Sequence, residues 1–385
     1  MCWEDIRMSA NVEFESRVRL EIDLDELRGN FKKIAASVAP CGVIAVLKAN
    51  AYGLGATPVG RALKDSGAAG FGAAELNEAL ELAKFGLPVQ LLGNILPGEI
   101  PAAVAAGIIL PINDFETADA INREALRQKR IVQCDFLVDT GMGRLGIQLH
   151  EAAEVINKSV KLSNLDCRGI YSHFPVAYQP GGGYTKRQIQ DFIELLNQLK
   201  TGGISFERVH IANSDAINNF KETCKSPFNL VRTGINLYGL FDEMGGRRLD
   251  LKSVISLKTR LASVRNLPAG ACIGYGLTCK LVKATRVGTI AAGYADGLPL
   301  MLSNRGYVVV RGVLCPIIGR ISMDYTTISL ENVPDAACGD EVICLGGTPP
   351  AAVSVDNWAS TKGTNPYDIL CSFGSRTKRI YLNDK

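Results

Sequence analysis

Residues 42–75 read GVIAVLKANAYGLGATPVGRALKDSGAAGFGAAE, and this stretch holds two short apolar runs separated by a helical segment. The first run is GVIAVLKA (42–49) and the second is AAGFGAAE (68–75). The intervening TPVGRALKDSG (57–67) has apolar residues at helical spacing and ends in glycine, as helices commonly do. An apolar run, a helix and a second apolar run in this order indicate a parallel βαβ unit.

The same alternation continues along the chain. Six further apolar runs follow, namely PVQLLGN (88–94), GIILPIN (107–113), VQCDFLVDTG (132–141), CRGIYSHF (167–174), RVHIANS (208–214) and NLVRTGINLYG (229–239). Helical segments ending in glycine lie between them, as in KRQIQDFIELLNQLKTGG (186–203). Eight such alternations predict a (β/α)8 TIM-like barrel, with a doubly wound open parallel sheet as the alternative.

The pattern changes after about residue 250. Short alternating segments such as YVVVRGVLCPIIG (307–319) are separated by Gly or Pro, which is typical of strands in an antiparallel domain. The sequence therefore predicts a loose N-terminal lead-in (1–17), a barrel (18–250) and a mainly β C-terminal domain (251–385) with a final helical piece near its end.

Composition narrows the class of protein. Of the 385 residues, 47% are apolar and 21% are charged, which is typical of a globular chain, and the net charge of +3 gives no reason to expect a nucleic-acid partner. No apolar stretch is long enough to span a membrane, and MCWEDIRMSANVEFESRVRL (1–20) has no signal core. Eleven scattered cysteines indicate reduced thiols in the cytoplasm, and only three histidines argue against a metal site.

In a barrel, the chemistry is expected at the carboxyl ends of the strands. Lys48 directly follows the apolar run GVIAVL. Desolvation at such a position lowers the pKa of a lysine and favours the neutral amine, which can form a Schiff base. The alternative is a strand-end lysine that reaches solvent.

The last two runs end in residues that could bind a phosphate. Asn213 and Ser214 follow the seventh run, and Gly234 and Ile235 can present backbone N–H groups after the eighth. Ordinary loop capping is the alternative. Arg232 lies inside an apolar run, so it needs a specific acceptor, and a structural carboxylate is one alternative partner.

Further candidates lie on glycine-rich loops. Arg144 lies in DTGMGRLG (139–146), where a fixed guanidinium could clamp a carboxylate, unless it is a solvated loop residue. In the predicted β domain, Tyr275 stands between two glycines, which is also common for plain turn residues.

Together these segments resemble the alanine racemases, which are fold-type III enzymes that depend on pyridoxal 5'-phosphate (PLP). The similarity extends from about residue 19 to 381, and AVLKANAYGLG (45–55) is its most specific part. The other segments that carry it are VDTGMGRLG (138–146), SHF (172–174), HIANS (210–214), VRTGINLYG (231–239), GYG (274–276), GYADG (293–297) and GRISMD (319–324).

The resemblance implies roles for individual residues. Lys48 would hold PLP covalently and act as a base on one face of the substrate, and Tyr275 from the partner subunit of a homodimer would act on the other. His173 would hydrogen-bond Tyr275. The residues implied to bind the cofactor are Lys48, Tyr52, His173, Asn213, Ser214, Arg232, Gly234 and Ile235, and those implied to contact the substrate are Arg144, Tyr294, Met323 and Asp324.

The chain departs from the family pattern at three places. Leu137 stands where many members have a carbamylated lysine, so Arg144 must be oriented by an anion or another polar group. Ser375 stands where some members have a phosphate-binding tyrosine. The segment PVAYQPGGG (175–183) follows His173 and could change the pocket or the subunit contacts.

The resemblance implies a cytoplasmic, homodimeric alanine racemase that interconverts L- and D-alanine and supplies D-alanine for peptidoglycan. One alternative is a racemase of the same family that prefers another small amino acid such as serine. A second is a fold-type III amino-acid decarboxylase, which usually has an acidic residue where this chain has Arg232. A third is a single-barrel PLP carrier without enzymatic activity.

Overall fold

The structure is a computed structural model that describes residues 16–242, 245 and 247–384. Residues 1–15 of the predicted lead-in lie outside the described residues. The chain forms two compact units. Among the described residues, the barrel unit contains those within Ile22–Val254, those within Thr364–Ser372 and those from Tyr381 onward, and the β unit contains those within Ile255–Gly363, those within Phe373–Ile380 and those up to Glu21. The boundaries expected from sequence, 18–250 and 251–385, stay a prediction.

Eight parallel strands form the barrel, one from each apolar run. They are β2 (Gly42–Val46), β3 (Gly70–Ala73), β4 (Val89–Leu91), β5 (Leu110–Ile112), β6 (Val132–Asp139), β8 (Leu165–Tyr171), β9 (Arg208–His210) and β10 (Leu230–Thr233), with β7 (Ile147–Gln148) paired to β6. The order is β10-β2-β3-β4 in one sheet and β5-β6-β8-β9 in another.

Two sets of backbone contacts close the barrel. A parallel bridge between Gln90 and Ile109 joins β4 to the residue before β5. The N–H of Arg232 donates to the carbonyl of Ala212 at 3.0 Å, which joins β10 to the end of β9. The predicted barrel is confirmed, and the open doubly wound sheet is wrong because no strand edge is left at either junction.

Helices lie between most of the barrel strands, and one helix precedes the first of these strands. They are α1 (Leu24–Val38), α2 (Ala56–Asp65), α3 (Leu76–Ala83), α4 (Ile100–Ala106), α5 (Phe115–Arg127), α6 (Leu149–Ser159), α7 (Gly183–Thr201) and α8 (Ser214–Asn219). Asp23 caps α1 by accepting from the N–H groups of Asp25 and Glu26. None of the helices in the described part of the chain is long and apolar enough to cross a bilayer.

The β unit contains a nine-stranded sheet with the central order β16-β15-β18-β11-β1-β20. Its strands and those of a small hairpin are β1 (Arg19–Asp23), β11 (Ile255–Leu267), β12 (Cys272–Ile273), β13 (Cys279–Lys280), β14 (Thr285–Ile290), β15 (Tyr307–Val310), β16 (Val313–Pro316), β17 (Thr326–Ser329), β18 (Glu341–Thr348), β19 (Ala351–Val353) and β20 (Lys378–Leu382). The predicted terminal helical piece consists of α9 (Val355–Lys362) and α10 (Pro366–Cys371). The mainly β character of this region is confirmed.

Candidate active site

A cavity of about 370 Å³ opens at the carboxyl ends of the barrel strands. Its described lining comes entirely from the barrel unit. The predicted site residues that it brings together are Lys48, Tyr52, Arg144, His173, Asn213, Ser214, Arg232 and Gly234. The rest of the lining includes residues from the ends of β2, β4, β6 and β8, so the site lies where a barrel fold places its chemistry.

Lys48 is the lysine of this cavity. It follows β2 after Leu47, whose N–H donates to the carbonyl of Gly72 on the neighbouring strand at 2.9 Å. Burial lowers the pKa of the Lys48 amine, and the positive charge of Arg144 lowers it further, although Glu78 opposes this shift. The environment thus favours the neutral amine, as expected from the position of Lys48 after an apolar strand.

The backbone after Lys48 is left-handed. Four consecutive residues, Ala49 to Tyr52, have φ between 52° and 57°, a region that L-residues rarely adopt for more than one residue. This turn sends the side chain of Tyr52 into the barrel, where it is 5% exposed and its ring contacts those of Tyr238 and Tyr367. Burial raises the pKa of Tyr52, so its hydroxyl stays protonated and can donate a hydrogen bond.

Tyr52, Ser214 and Gly234 form a polar cradle. The N–H of Gly234 donates to Ser214 Oγ at 3.0 Å. A Cβ at position 234 would lie 2.1 Å from Tyr52 Oη, so only glycine lets the two loops approach this closely. Asn213 caps α8 by accepting from the N–H of Ala216 at 3.0 Å. The side chain of Ile235 is fully buried, and Ile235 does not line the cavity.

Arg232 is buried in the cavity wall and is 4% exposed. Its Nη2 donates to the carbonyls of Ser172 at 2.6 Å and Ile211 at 3.2 Å, and to His173 Nδ1 at 3.3 Å. Its Nη1 contacts His210 Nδ1. The specific acceptors expected from sequence are present, but among the described residues they are carbonyls and imidazoles rather than a carboxylate. Burial lowers the pKa of Arg232 to about 10, which still leaves it charged at neutral pH.

The two histidines beside Arg232 are neutral. Burial lowers the pKa of His173 to about 3, with Arg232 adding to the shift, and burial also lowers the pKa of His210 well below its usual value. A neutral imidazole whose Nδ1 accepts a hydrogen bond from Arg232 carries its proton on Nε2. His173 lines the cavity and can therefore act there as a hydrogen-bond donor.

Arg144 reaches the cavity from a loop braced at its backbone. The carboxylate of Asp139 accepts from the N–H groups of Gly141, Met142 and Gly143 at 2.7–3.2 Å. The hydroxyl of Tyr184, which follows the 175–183 segment, donates to the carbonyl of Gly141 at 2.7 Å. Leu137 is buried and offers no polar group, and no described residue forms a hydrogen bond or ion pair with the Arg144 guanidinium.

The predicted residues Tyr275, Tyr294, Met323 and Asp324 belong to the β unit. The N–H of Tyr294 donates to the carbonyl of Ser322 at 3.1 Å, which joins GYADG to the segment containing Met323 and Asp324. The Asp324 carboxylate accepts from Arg376 Nη1 at 2.8 Å. Tyr275 lies in a short 3-10 turn and is 73% exposed. Among the exposed tyrosines of the described residues, it has the largest exposed fraction.

Sequence reasoning missed several residues around the cavity. Tyr367 and Tyr171 both line it. Tyr171 ends β8 and stacks on His210 at 5.1 Å between ring centroids. Tyr367 comes from α10, and the Asn-Pro pair before it predicts only that a helix starts there. No local pattern indicates that this helix belongs to the barrel unit.

The fold and the cavity define a class of protein, namely a barrel enzyme with a lysine of lowered pKa beside a polar cradle of two hydroxyl groups. Comparisons with known proteins narrow this class. The family model "Alanine racemase, N-terminal domain" matches residues 22–242, and "Alanine racemase, C-terminal domain" matches residues 254–381. The chain therefore belongs to the alanine racemase family.

Individual relatives agree over nearly the whole chain. The alanine racemase of Desulforamulus reducens is 38% identical over 94% of this chain and 98% of its own length, and that of Halothermothrix orenii is 35% identical over 94% and 96%. The structure of alanine racemase from Clostridium difficile 630 matches with a TM-score of 0.90 at 28% identity, covering 97% of this chain and 98% of its own. A Bartonella henselae alanine racemase, described with covalently bound pyridoxal phosphate, matches with a TM-score of 0.86 at 30% identity over 96% and 100%.

These comparisons do not favour the alternatives of a serine-preferring racemase or a decarboxylase. The match to a C-terminal racemase domain also disfavours a single-barrel carrier.

Proposed function

We propose that Lys48 and Tyr275 are the two bases of this enzyme. The chain is a PLP-dependent isomerase that interconverts L- and D-alanine, as its family membership establishes. The observation that supports the role of Lys48 is its place in the barrel cavity, where burial lowers the pKa of its amine beside the cradle of Tyr52, Ser214 and Gly234.

The cavity residues fit pyridoxal phosphate. Tyr52, Ser214 and Gly234 line the cavity together, and the hydroxyl groups of the two side chains can donate hydrogen bonds to phosphate oxygens. The Nε–H of Arg232 has no acceptor among the described residues, because all its hydrogen bonds use Nη1 and Nη2. We assign this N–H to the pyridine nitrogen. When bound, the cofactor withdraws electrons from Cα of the attached amino acid and makes its proton acidic.

Arg232 controls how strongly a bound cofactor would withdraw electrons from Cα. Because its charge is surrounded by carbonyls and neutral imidazoles, it is held as a hydrogen-bond donor and cannot pass a proton to the ring nitrogen at neutral pH. Arg232 would thus leave the ring nitrogen of a bound cofactor unprotonated and so limit the electron withdrawal. The arrangement thus favours rapid return of the Cα proton over transfer of the amino group.

Racemisation needs one base on each face of Cα. Lys48 takes or returns the proton on one face, and Tyr275 of a second subunit does so on the other. His173, with its proton on Nε2, donates to the Tyr275 oxygen and stabilises the phenolate. Arg144 binds the substrate carboxylate, the partner subunit's Met323 contributes there with Asp324 close by, and Tyr294 lines the entrance.

The exposed position of Tyr275 supports the proposed homodimer with shared active sites. Other apolar side chains of the same unit are also exposed, including Leu277 at 67% and Met323 at 52%. A hybrid experiment tests this arrangement. Mixed Lys48→Ala and Tyr275→Phe subunits should recover about a quarter of wild-type activity after random exchange, since half the dimers would then hold one intact site. Two inactive proteins that stay inactive when mixed would contradict sharing.

We further propose that the enzyme acts in the cytoplasm and supplies D-alanine for peptidoglycan. The ten cysteines in the described residues are all free thiols, as expected in a reducing compartment.

The direct test is chiral amino-acid analysis of protein incubated with PLP and L-alanine. Wild type should produce D-alanine. Tyr275→Phe should produce little, although it should keep the cofactor, because its side chain lies outside the cradle. A Tyr275→Phe enzyme that racemises at the wild-type rate would show that another residue is the second base.

A further inference from the structure

Glu78, on α3, connects two strand ends of the barrel. One carboxylate oxygen accepts from the N–H of Ala49, which directly follows Lys48. The other accepts from the N–H of Ala74, just after β3, at 2.9 Å. The side chain therefore links the turn that contains Lys48 to the neighbouring strand end.

The turn needs such support. Ala49 is the first of the four left-handed residues. In this conformation the Cβ of each residue lies close to the following carbonyl oxygen, which raises the energy of the turn, whereas glycine has no Cβ. At the other end of the turn, Asn50 Oδ1 accepts from the N–H of Ala56 at 2.7 Å, and Gly53 donates to the carbonyl of Ala49 at 2.7 Å. At the Lys48 end, the N–H of Ala51 donates to the carbonyl of Leu47 at 2.8 Å, and Glu78 adds a side-chain contact from 29 positions away.

We propose that Glu78 is a positioning residue for the lysine and the cradle. By holding the N–H of Ala49, its carboxylate keeps the left-handed turn in place and so fixes the Lys48 amine relative to the Tyr52 hydroxyl. The inference rests on the proposed function, since it assumes that Lys48 and Tyr52 hold the cofactor.

The charge of Glu78 contributes in addition to its geometry. Its carboxylate raises the pKa of Lys48, against the lowering by burial and by Arg144. Replacement by glutamine keeps the shape of the side chain and one acceptor oxygen, but removes the charge and presents an NH₂ group to one of the two backbone donors.

A purely structural role is the competing explanation. The bond to Ala74 lies four residues back along the chain and could simply stabilise the start of α3. The chain offers a matched control for that possibility. Glu81, one turn later on the same helix, accepts from the Thr57 hydroxyl at 2.7 Å, and among the described residues its side chain forms no hydrogen bond to the Lys48 turn.

The experiment compares Glu78→Gln with Glu81→Gln as holoenzymes. We expect Glu78→Gln to release PLP at least tenfold faster, to change the visible circular dichroism of bound PLP, and to lower kcat by about tenfold, with Tm close to wild type. Glu81→Gln should match wild type in all four measurements. Wild-type release and spectra for Glu78→Gln, or equal changes in both variants, would overturn the proposal.

A second variant keeps the test decisive if Glu78→Gln is unstable. Adding Ala49→Gly removes the left-handed penalty at the braced residue, so it should restore part of the cofactor retention without the carboxylate. No restoration would contradict the proposal. Reductive trapping of PLP and peptide mapping of wild type test the proposed function separately, because label on a residue other than Lys48 would refute that function whatever the Glu78 variants do.

Discussion

Replacing Gly234 with alanine tests the cofactor cradle most directly. The new Cβ would lie 2.1 Å from Tyr52 Oη and 2.8 Å from Cζ of the same ring. To reach the 3.4 Å of ordinary contact, the two groups must separate by about 1.3 Å. Tyr52 cannot swing away easily, because it is buried and its ring is held by Tyr238 and Tyr367 at 5.6 and 5.9 Å between centroids.

The cost of this overlap sets the expected size of the effect. Overpacking a buried site by one methyl group costs about 1–3 kcal/mol, and each 1.4 kcal/mol is tenfold in an equilibrium constant. If the overlap is relieved by moving the Tyr52 hydroxyl and the Gly234 loop apart, Gly234→Ala should weaken PLP binding by about tenfold to a hundredfold. Equilibrium binding of PLP to the apo-protein, followed by visible absorbance, measures the change.

Two further variants make the measurement specific. Gly29→Ala adds a methyl group in α1 with no atom within 4 Å, so it should leave PLP affinity unchanged and raise stability by up to about 1 kcal/mol. Tyr52→Phe removes the hydroxyl that the new Cβ meets first, so Gly234→Ala should cost less affinity in that background than in wild type. A Gly234→Ala protein with wild-type PLP affinity would refute the assignment of the cradle.

Other consequences follow from the groups around the cavity. His173 has its pKa lowered to about 3 by burial, whereas an unfolded histidine ionises near 6.5, so the unfolded chain binds protons first as the pH falls. The free energy of unfolding should therefore drop by about 2 kcal/mol from pH 7 to pH 5 on account of His173, and urea titrations of His173→Gln should show a smaller drop. Asp139→Asn weakens the three N–H contacts of the Arg144 loop and should raise KM for alanine about tenfold; a lower kcat at unchanged KM in steady-state kinetics would contradict this. Arg232→Glu supplies an acid at the ring nitrogen and should increase pyruvate formation from alanine, and unchanged pyruvate in an enzyme assay would count against the assigned role of Arg232.

Sequence patterns were sufficient to predict the barrel because its strands and helices depend on short stretches of sequence. Each apolar run predicts a strand from its own residues, and the order of runs and helices leaves few topologies. The same reasoning placed Lys48, Ser214 and Arg232 at one end of the barrel, since the carboxyl ends of parallel strands meet at one face. The roles of these residues came from the family resemblance, and they stay predictions until the variants are measured.

The acceptors of Arg232 show where local reasoning stops. Its apolar surroundings in the sequence predicted a buried guanidinium with a partner, and a carboxylate was the ordinary alternative. The structure supplies His210 and the Ser172 carbonyl instead, which lie 22 and 60 residues away. Strand register and barrel closure determine which groups face a buried charge, and neither can be predicted from the residues next to that charge in the sequence.

By itself, the sequence determined the strand–helix alternation, the β-rich second part of the chain and the residues that end each barrel strand, because these depend on periodicity and position along the chain. Only the tertiary structure decided that Tyr367 joins the cavity after the chain has passed through the β unit, and that Glu78 reaches Ala49 beside the lysine. Both contacts join segments far apart in sequence, and packing of the closed barrel rather than any local preference selects them.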